Sequence, residues 1–124
     1  MLLESRFPIT TQLAPDVDRA LALLASAAEG GTLPGLVLLD LNLAGSDGRE
    51  VLRHIKSHEA LRRIPVVIFS TSQAPDDINE CYDLHANAYL TKPFHLGDMR
   101  QAIASMCEFW LGQVRPPAAG VEVA

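Results

Sequence analysis

Two apolar runs decide the fold of this chain: Gly35-Leu-Val-Leu-Leu-Asp40 and Val66-Val-Ile-Phe-Ser70. Apart from its final residue, neither run contains a polar side chain. A strand in a parallel sheet has this composition when helices cover both faces of the sheet, because every side chain is then buried. The first run therefore predicts a central strand, and the second predicts another fully buried strand.

Amphipathic segments alternate with these strands along the chain. Apolar residues at helical spacing predict one helix after Asp16, one from Asp47-Gly48, one from Pro75 with Ile78, Cys81 and Tyr82 inward, and one over Leu96–Leu111. Further strands are predicted at Phe7–Leu13 and Ala88–Thr91. Strands and helices in alternation are typical of an α/β fold, in which a parallel sheet carries helices on both faces.

Length and charge exclude several classes of protein. The 124 residues suit a single globular domain, and 15 acidic against 10 basic residues leave a formal charge of −5. This charge disfavours binding to nucleic acid or to an anionic membrane. The apolar runs are far shorter than the roughly 20 residues that span a bilayer, and no secretory leader is recognisable, so we expect a cytoplasmic protein.

Cys81 and Cys107 have no Cys-x-x-Cys spacing and are expected to be reduced, inert thiols.

Three polar residues follow three of the predicted strands directly: Asp40, Ser70 and Lys92. The carboxyl ends of parallel strands form the rim where α/β proteins bind ligands, so these side chains should converge. A carboxylate, a hydroxyl and an ammonium group together suit phosphoryl transfer. Asp40 would be the nucleophile, Ser70 a donor to a phosphoryl oxygen, and Lys92 the group that offsets negative charge. Taken singly, each residue is more simply explained as a turn or a helix start.

The sequence resembles the receiver domains of two-component response regulators, in particular the single-domain type. The resemblance covers roughly Phe7 to Arg115. It is carried by four motifs: Leu36-Val-Leu-Leu-Asp40-Leu-Asn42-Leu, Asp47-Gly48, Ile64-Pro-Val-Val-Ile-Phe-Ser70-Thr71-Ser72, and Ala88-Tyr89-Leu-Thr-Lys92-Pro93-Phe94.

This resemblance implies a flavodoxin-like fold and a role for each matching residue. It implies that Asp40 is the phosphoacceptor, that the backbone carbonyl of Asn42 reaches Mg²⁺, and that Lys92 binds the phosphoryl group. Ser70 and Tyr89 would be the switch residues, and the bond between Lys92 and its proline would be cis. The partner would be a sensor histidine kinase.

The second half of the chain is similar to the regulators paired with phytochrome kinases. The similarity lies in Tyr82–Lys92, in Phe109-Trp110-Leu111-Gly112 and in Arg115-Pro-Pro117. It implies a phytochrome as the kinase and a homodimer formed through the last helix and the tail. Three consecutive bulky residues cannot all face one core, so at least one of Phe109, Trp110 and Leu111 should be exposed or covered by a partner.

The beginning of the chain departs from the family. Receivers start with a strand ending in paired acids that hold Mg²⁺, whereas Phe7–Leu13 matches the family's second strand. The first, central strand and most of the first helix are therefore missing. Either Phe7–Leu13 moves next to Gly35–Leu39, or Met1 is internal to a longer natural chain. We predict a truncated receiver domain over residues 1–115 and a disordered tail over 116–124.

Metal binding should suffer from this departure. Only Asp40 supplies a certain carboxylate, so Mg²⁺ binding is expected to be weak or absent. Asp16 is a candidate substitute, although capping a helix explains it more simply. His54 and His58 have a metal-compatible spacing but no third ligand, which favours a solvated helix face.

The predicted function is therefore a non-enzymatic phosphorylation switch. A sensor histidine kinase, such as a phytochrome, would phosphorylate Asp40, and the chain would signal by protein–protein contact. The alternative is a pseudo-receiver that acts as a binding or dimerisation module without phosphorylation. A small hydrolase using Asp40 is disfavoured because the sequence offers neither a general acid nor a substrate pocket.

Overall fold

A computed structural model describes residues 11–30, 32–43 and 45–115, without the side chain of Leu43. The helices are α1 Val17–Gly30, α2 Arg49–Ser57, α3 Pro75–Asp83 and α4 Leu96–Cys107, with a π-helical segment at Glu108–Gln113. The strands are β1 Val37–Leu39, β2 Asn42–Leu43, β3 Ser46–Asp47, β4 Val66–Ser70 and β5 Ala88–Thr91.

Within the described residues, the main sheet has three parallel strands in the order β1-β4-β5. Val37 is paired with Val66, and Val67 with Ala88. Each crossover between these strands contains a helix, as parallel neighbours require. The α/β fold with a parallel sheet and four helices is confirmed. The two short strands β2 and β3 form a separate antiparallel ribbon, which the sequence analysis did not predict.

Strand β4 lies at the centre of the described sheet, and all five of its residues are buried. Successive side chains of a strand point to opposite faces, so the strand contributes to two cores. Val66 and Ile68 pack in the larger cluster, which α1, α2 and α3 cover. Val67 and Phe69 pack in the smaller one, which α4 and the π-helical segment cover. The prediction of a fully buried strand is confirmed here.

Strand β1 is less buried than its apolar sequence suggested. Leu39 is buried in the larger cluster, but Leu38 is 40% exposed. Among the described residues, β1 has a strand neighbour on one edge only. Full burial of this run is therefore not found at Leu38. A second neighbour of β1 would lie outside the described residues, so the prediction of a central strand stays a prediction.

The predicted strand Phe7–Leu13 lies mostly outside the described residues. Its last three residues, Thr11–Leu13, are described and do not belong to a strand. The two explanations for the missing central strand both concern residues that are not described, and both remain hypotheses. The same is true of the predicted tail at 116–124.

The helices bury most of the faces that their periodicity predicted. In α2, Val51, Leu52 and Ile55 are buried. In α3, Cys81 is buried as expected but Tyr82 is exposed, because the next residue of a helix lies about 100° further round its axis. The inward assignment of Tyr82 was therefore wrong.

The helix changes from α to π geometry after Cys107, and three consecutive bulky side chains there face different surroundings. In the π-helical segment, Trp110 and Leu111 pack against the smaller cluster, whereas Phe109 is 51% exposed. The rings of Phe109 and Trp110 meet edge to face with centroids 5.6 Å apart. The prediction that the three cannot share one core is confirmed.

The two cysteines have the state that the sequence predicts. Cys81 and Cys107 are free and buried, and burial raises the pKa of both thiols, which keeps them protonated.

No described peptide bond is cis, so the expected cis bond between Lys92 and Pro93 is not found. In the part of the chain that the structure describes, every helix is too short or too polar to cross a bilayer.

Candidate functional site

Asp40 and Lys92 meet at the carboxyl edge of the sheet. Asp40 follows β1 directly and Lys92 follows β5, on either side of β4. The ammonium of Lys92 is in direct hydrogen-bonded contact with Asp40 Oδ2, and both side chains are partly exposed. The backbone N–H of Lys92 donates to the carbonyl oxygen of Ser70 over 2.7 Å. The three residues predicted from the rim argument therefore lie together.

A tight turn follows Asp40 and fixes its carboxylate. Asp40 Oδ1 accepts a hydrogen bond from the backbone N–H of Asn42 at 2.9 Å, which is a local Asx turn. The chain then reverses through Gly45, whose φ of 80° is left-handed, and returns along β3. This contact uses the amide of Asn42, and the metal-binding role of its carbonyl stays a prediction.

Gly48 packs directly against the backbone of Asp40. Its N–H donates to the carbonyl oxygen of Leu41 at 2.8 Å. A Cβ added at Gly48 would overlap the carbonyl oxygen of Asp40 and lie 3.0 Å from Leu41 Cα. The φ of −62° at Gly48 is accessible to any residue, so backbone conformation does not require glycine here. The close approach of the neighbouring backbone does require it.

Ser70 and Tyr89 are linked through Ser72. Ser70 is buried, and its Oγ accepts a hydrogen bond from the backbone N–H of Ser72 at 3.2 Å. The hydroxyl of Tyr89 donates to the carbonyl oxygen of Ser72 at 2.9 Å. The two predicted switch residues thus contact the same residue, which sequence reasoning quoted only as part of a motif.

Arg49 joins the start of α2 to α3. Its guanidinium lies 3.2 Å from Asp47 Oδ1, 2.9 Å from Asp77 Oδ1 and 3.2 Å from Glu80 Oε2. Partial burial of Asp47 acts to raise the pKa of its carboxyl, but hydrogen bonds from Arg49 outweigh burial and lower it. The sequence analysis did not identify Arg49, because no local pattern reveals a partner on another helix.

An open cleft of about 410 Å³ lies beside these groups. Its polar lining includes the residues Asn42, Arg49, Ser70, Thr71 and Ser72. Hydroxyl and guanidinium groups are suitable donors for the oxygens of a phosphoryl compound. The lining also contains the carboxylates of Asp47 and Asp77, and it reaches Leu41, the residue after Asp40.

The described residues do not by themselves make a divalent-metal site. Within 11–30, 32–43 and 45–115, no three acidic, histidine or cysteine side chains are grouped to hold an ion. Asp16 Oδ1 accepts from the N–H of Arg19 at 2.7 Å, which is the contact of a helix cap. His58 Nδ1 accepts from the N–H of Ala60 at 3.1 Å, so this nitrogen makes a local contact within its own turn.

Comparison with known proteins identifies relatives of the chain. The sequence profile described as "Response regulator receiver domain" matches residues 1–104. Response regulator Rcp1 of Synechocystis sp. is 48% identical over 91 residues, which are 73% of this chain and 62% of that protein. The chain therefore spans somewhat less than two thirds of this relative.

Solved structures agree with the sequence comparison. The phosphorylated cyanobacterial phytochrome response regulator RcpA shares 45% identity with a TM-score of 0.78, over 85% of this chain and 76% of that one. The Mn²⁺-bound form of Rcp1 shares 44% identity with a TM-score of 0.70, over 80% of this chain and 75% of that one. With the convergence of Asp40, Ser70 and Lys92, these matches show that the chain belongs to the receiver-domain family of response regulators.

Proposed function

We propose that this chain is a phosphorylation switch that accepts a phosphoryl group on Asp40 from a sensor histidine kinase. The observation that carries the proposal is the contact of the Lys92 ammonium with the Asp40 carboxylate at the rim of the sheet. The relative RcpA is described as a phytochrome response regulator, which supports a phytochrome as the kinase. A receiver of this kind is a signalling module and not an enzyme.

The transfer uses one carboxylate oxygen as the nucleophile. An oxygen of Asp40 forms a bond to phosphorus while the P–N bond of the phosphohistidine breaks. The electron pair of the P–N bond stays on the imidazole nitrogen, which takes up a proton. The product is an acyl phosphate. Lys92 offsets negative charge on the phosphoryl oxygens during transfer, which is the main contribution a protein makes to this reaction.

Ser70 and Tyr89 report the modification in this proposal. The hydroxyl of Ser70 donates to a phosphoryl oxygen once one is bound to Asp40. Because Ser70 and Tyr89 both contact Ser72, a movement of Ser70 also changes the position of Tyr89. The altered surface around Tyr89 then favours or disfavours a protein partner.

Mg²⁺ is the cofactor expected for this family, and the relative Rcp1 has been solved in a Mn²⁺-bound form. Among the described residues of this chain, no group of three acidic, histidine or cysteine side chains that includes Asp40 could hold an ion. We propose that this chain binds Mg²⁺ weakly.

Chemical labelling tests the proposed function. The chain is incubated with acetyl phosphate and Mg²⁺, and separately with a phosphorylated phytochrome kinase, and its intact mass is measured. We expect the gain of one phosphoryl group that hydroxylamine removes, since an acyl phosphate reacts with this nucleophile. If neither donor labels the chain while both label a receiver that carries the paired acids after its first strand, the result overturns this proposal and supports the pseudo-receiver alternative.

We further propose that the chain forms a homodimer through α4 and the segment that follows it. Support comes from Phe109, which is half exposed beside the packed ring of Trp110. The net charge of −5 supports protein partners over nucleic acid or a membrane. A cytoplasmic location follows from a kinase partner that takes its phosphoryl group from ATP.

Replacing Phe109 with serine tests this interface. We expect analytical ultracentrifugation to show a dimer for the wild-type chain and about tenfold weaker association for Phe109→Ser, because an exposed aromatic side chain is a typical anchor of an interface. Phe94→Ser is the matched control, since Phe94 is 96% exposed but lies before α4. If Phe94→Ser dissociates the dimer and Phe109→Ser does not, the proposed interface is wrong.

A further inference from the structure

Ser72 is the most connected residue of the loop that follows β4. Its N–H donates to Ser70 Oγ at 3.2 Å, and its carbonyl oxygen accepts from the hydroxyl of Tyr89 at 2.9 Å. Its own Oγ donates to Asp77 Oδ2 at 2.5 Å and accepts from the N–H of Ala74 at 3.2 Å. The conformation of this loop, and with it the position of Ser70, therefore depends on Asp77.

Asp77 is in turn held by Arg49. The guanidinium of Arg49 is 2.9 Å from Asp77 Oδ1, while Ser72 occupies the other carboxylate oxygen. Arg49 is only 16% exposed, and it also pairs with Asp47 and Glu80. A planar guanidinium that is held by acids on two sides has little freedom to move. The described contacts therefore connect Arg49, at the start of α2, with the hydroxyl of Ser70.

We propose that Arg49 and Asp77 act as a latch that holds the loop after β4 in its unphosphorylated conformation, and so limits how readily Asp40 is phosphorylated. This inference rests on the proposed function. Contacts made only in the unphosphorylated state must loosen when Ser70 turns toward a phosphoryl group. Their free energy then opposes phosphorylation.

Arg49, Ser70 and Ser72 line one cleft, which Asp77 also borders. The Arg49–Asp77 pair therefore lies at the same cleft as the loop that it holds. Arg49 and Asp77 are therefore positioning residues, which act through Ser72 and do not receive the phosphoryl group.

The substitution Asp77→Asn tests the latch. It keeps the shape of the side chain and an acceptor for Ser72, but removes the charge that Arg49 pairs with. We expect labelling of Asp40 by acetyl phosphate to become about fivefold faster, the lower end of typical coupling between sites, because Asp77 is partly exposed. Asp76→Asn is the matched control, since Asp76 is the exposed neighbour in the same first turn of α3. Its rate should equal that of the wild-type chain.

Variants of Arg49 separate a latch from a general loss of stability. Arg49→Gln should accelerate labelling as much as Asp77→Asn does, the double variant should be no faster than either single variant, and Arg49→Lys should restore part of the wild-type rate. Melting temperatures are recorded for each variant, because a purely structural role would lower them and leave the labelling rate unchanged. Slower or unchanged labelling in Asp77→Asn overturns the proposal.

Amide hydrogen exchange distinguishes this proposal from the proposed function. In Asp77→Asn the amides of Thr71–Ala74 should exchange faster than in Asp76→Asn. If the wild-type chain is never labelled but this exchange difference is present, the proposed function is overturned while the hold of Arg49 and Asp77 on the loop stands. If the wild-type chain is labelled but the two variants exchange and label alike, the latch is overturned and the proposed function stands.

Discussion

Replacing Asp40 with asparagine is expected to abolish labelling of the chain by acetyl phosphate or by a kinase. The amide lacks the charged oxygen that attacks phosphorus, so no acyl phosphate can form. Asn can still accept the hydrogen bond from the N–H of Asn42, which Asp40 Oδ1 accepts at 2.9 Å, so the turn should stay in place. Intact mass and hydroxylamine treatment measure the result.

Two further variants show whether this loss is specific. Lys92→Met removes the ammonium that contacts Asp40 and should slow labelling about 100-fold without abolishing it, the typical cost of losing one charge-stabilising donor. Asp16→Asn should leave labelling unchanged, because Asp16 caps α1 and asparagine caps helices as well. Persistent labelling of Asp40→Asn would show that another residue accepts the phosphoryl group.

Replacing Gly48 with alanine should lower the free energy of unfolding by about 2 kcal/mol, the usual cost of overpacking. The added methyl group would overlap the carbonyl oxygen of Asp40, and its nearest neighbours are backbone atoms that cannot rotate away. The hydrogen bond from the N–H of Gly48 to the carbonyl oxygen of Leu41 would be strained at the same time. Urea unfolding followed by circular dichroism measures the change.

Gly97→Ala provides the control for this prediction. Gly97 lies in the first turn of α4, and a Cβ there would have no neighbour within 4 Å. Alanine should therefore be neutral or stabilise the protein by up to about 1 kcal/mol, because it favours a helix more than glycine does. Because Gly48 adjoins Asp40, its variant should also label more slowly than wild type, whereas Gly97→Ala should not. Equal stability of the two variants would refute the packing argument.

Local sequence predicted the burial of those elements in which the spacing of apolar side chains alone decides which face is buried. The uninterrupted apolar run of β4 and the apolar spacing of α2 predicted burial correctly, because side-chain periodicity reports which face a segment buries. The same reasoning failed for Leu38 of β1, which lies in a run of similar composition but is 40% exposed. It failed for Tyr82 as well, where a shift of one residue decides whether a helical side chain faces the core.

The sequence by itself determined the α/β fold class and the set of residues at the rim, since parallel strands bring their carboxyl ends to one edge whatever the loops do. It therefore placed Asp40, Ser70 and Lys92 together correctly. Only the tertiary structure decided that Ser72 contacts both Ser70 and Tyr89 and that Arg49 reaches Asp77. The contacts of Tyr89 with Ser72 and of Arg49 with Asp77 join segments far apart in the chain. Their geometry depends on how the helices pack against the sheet, which no local pattern encodes.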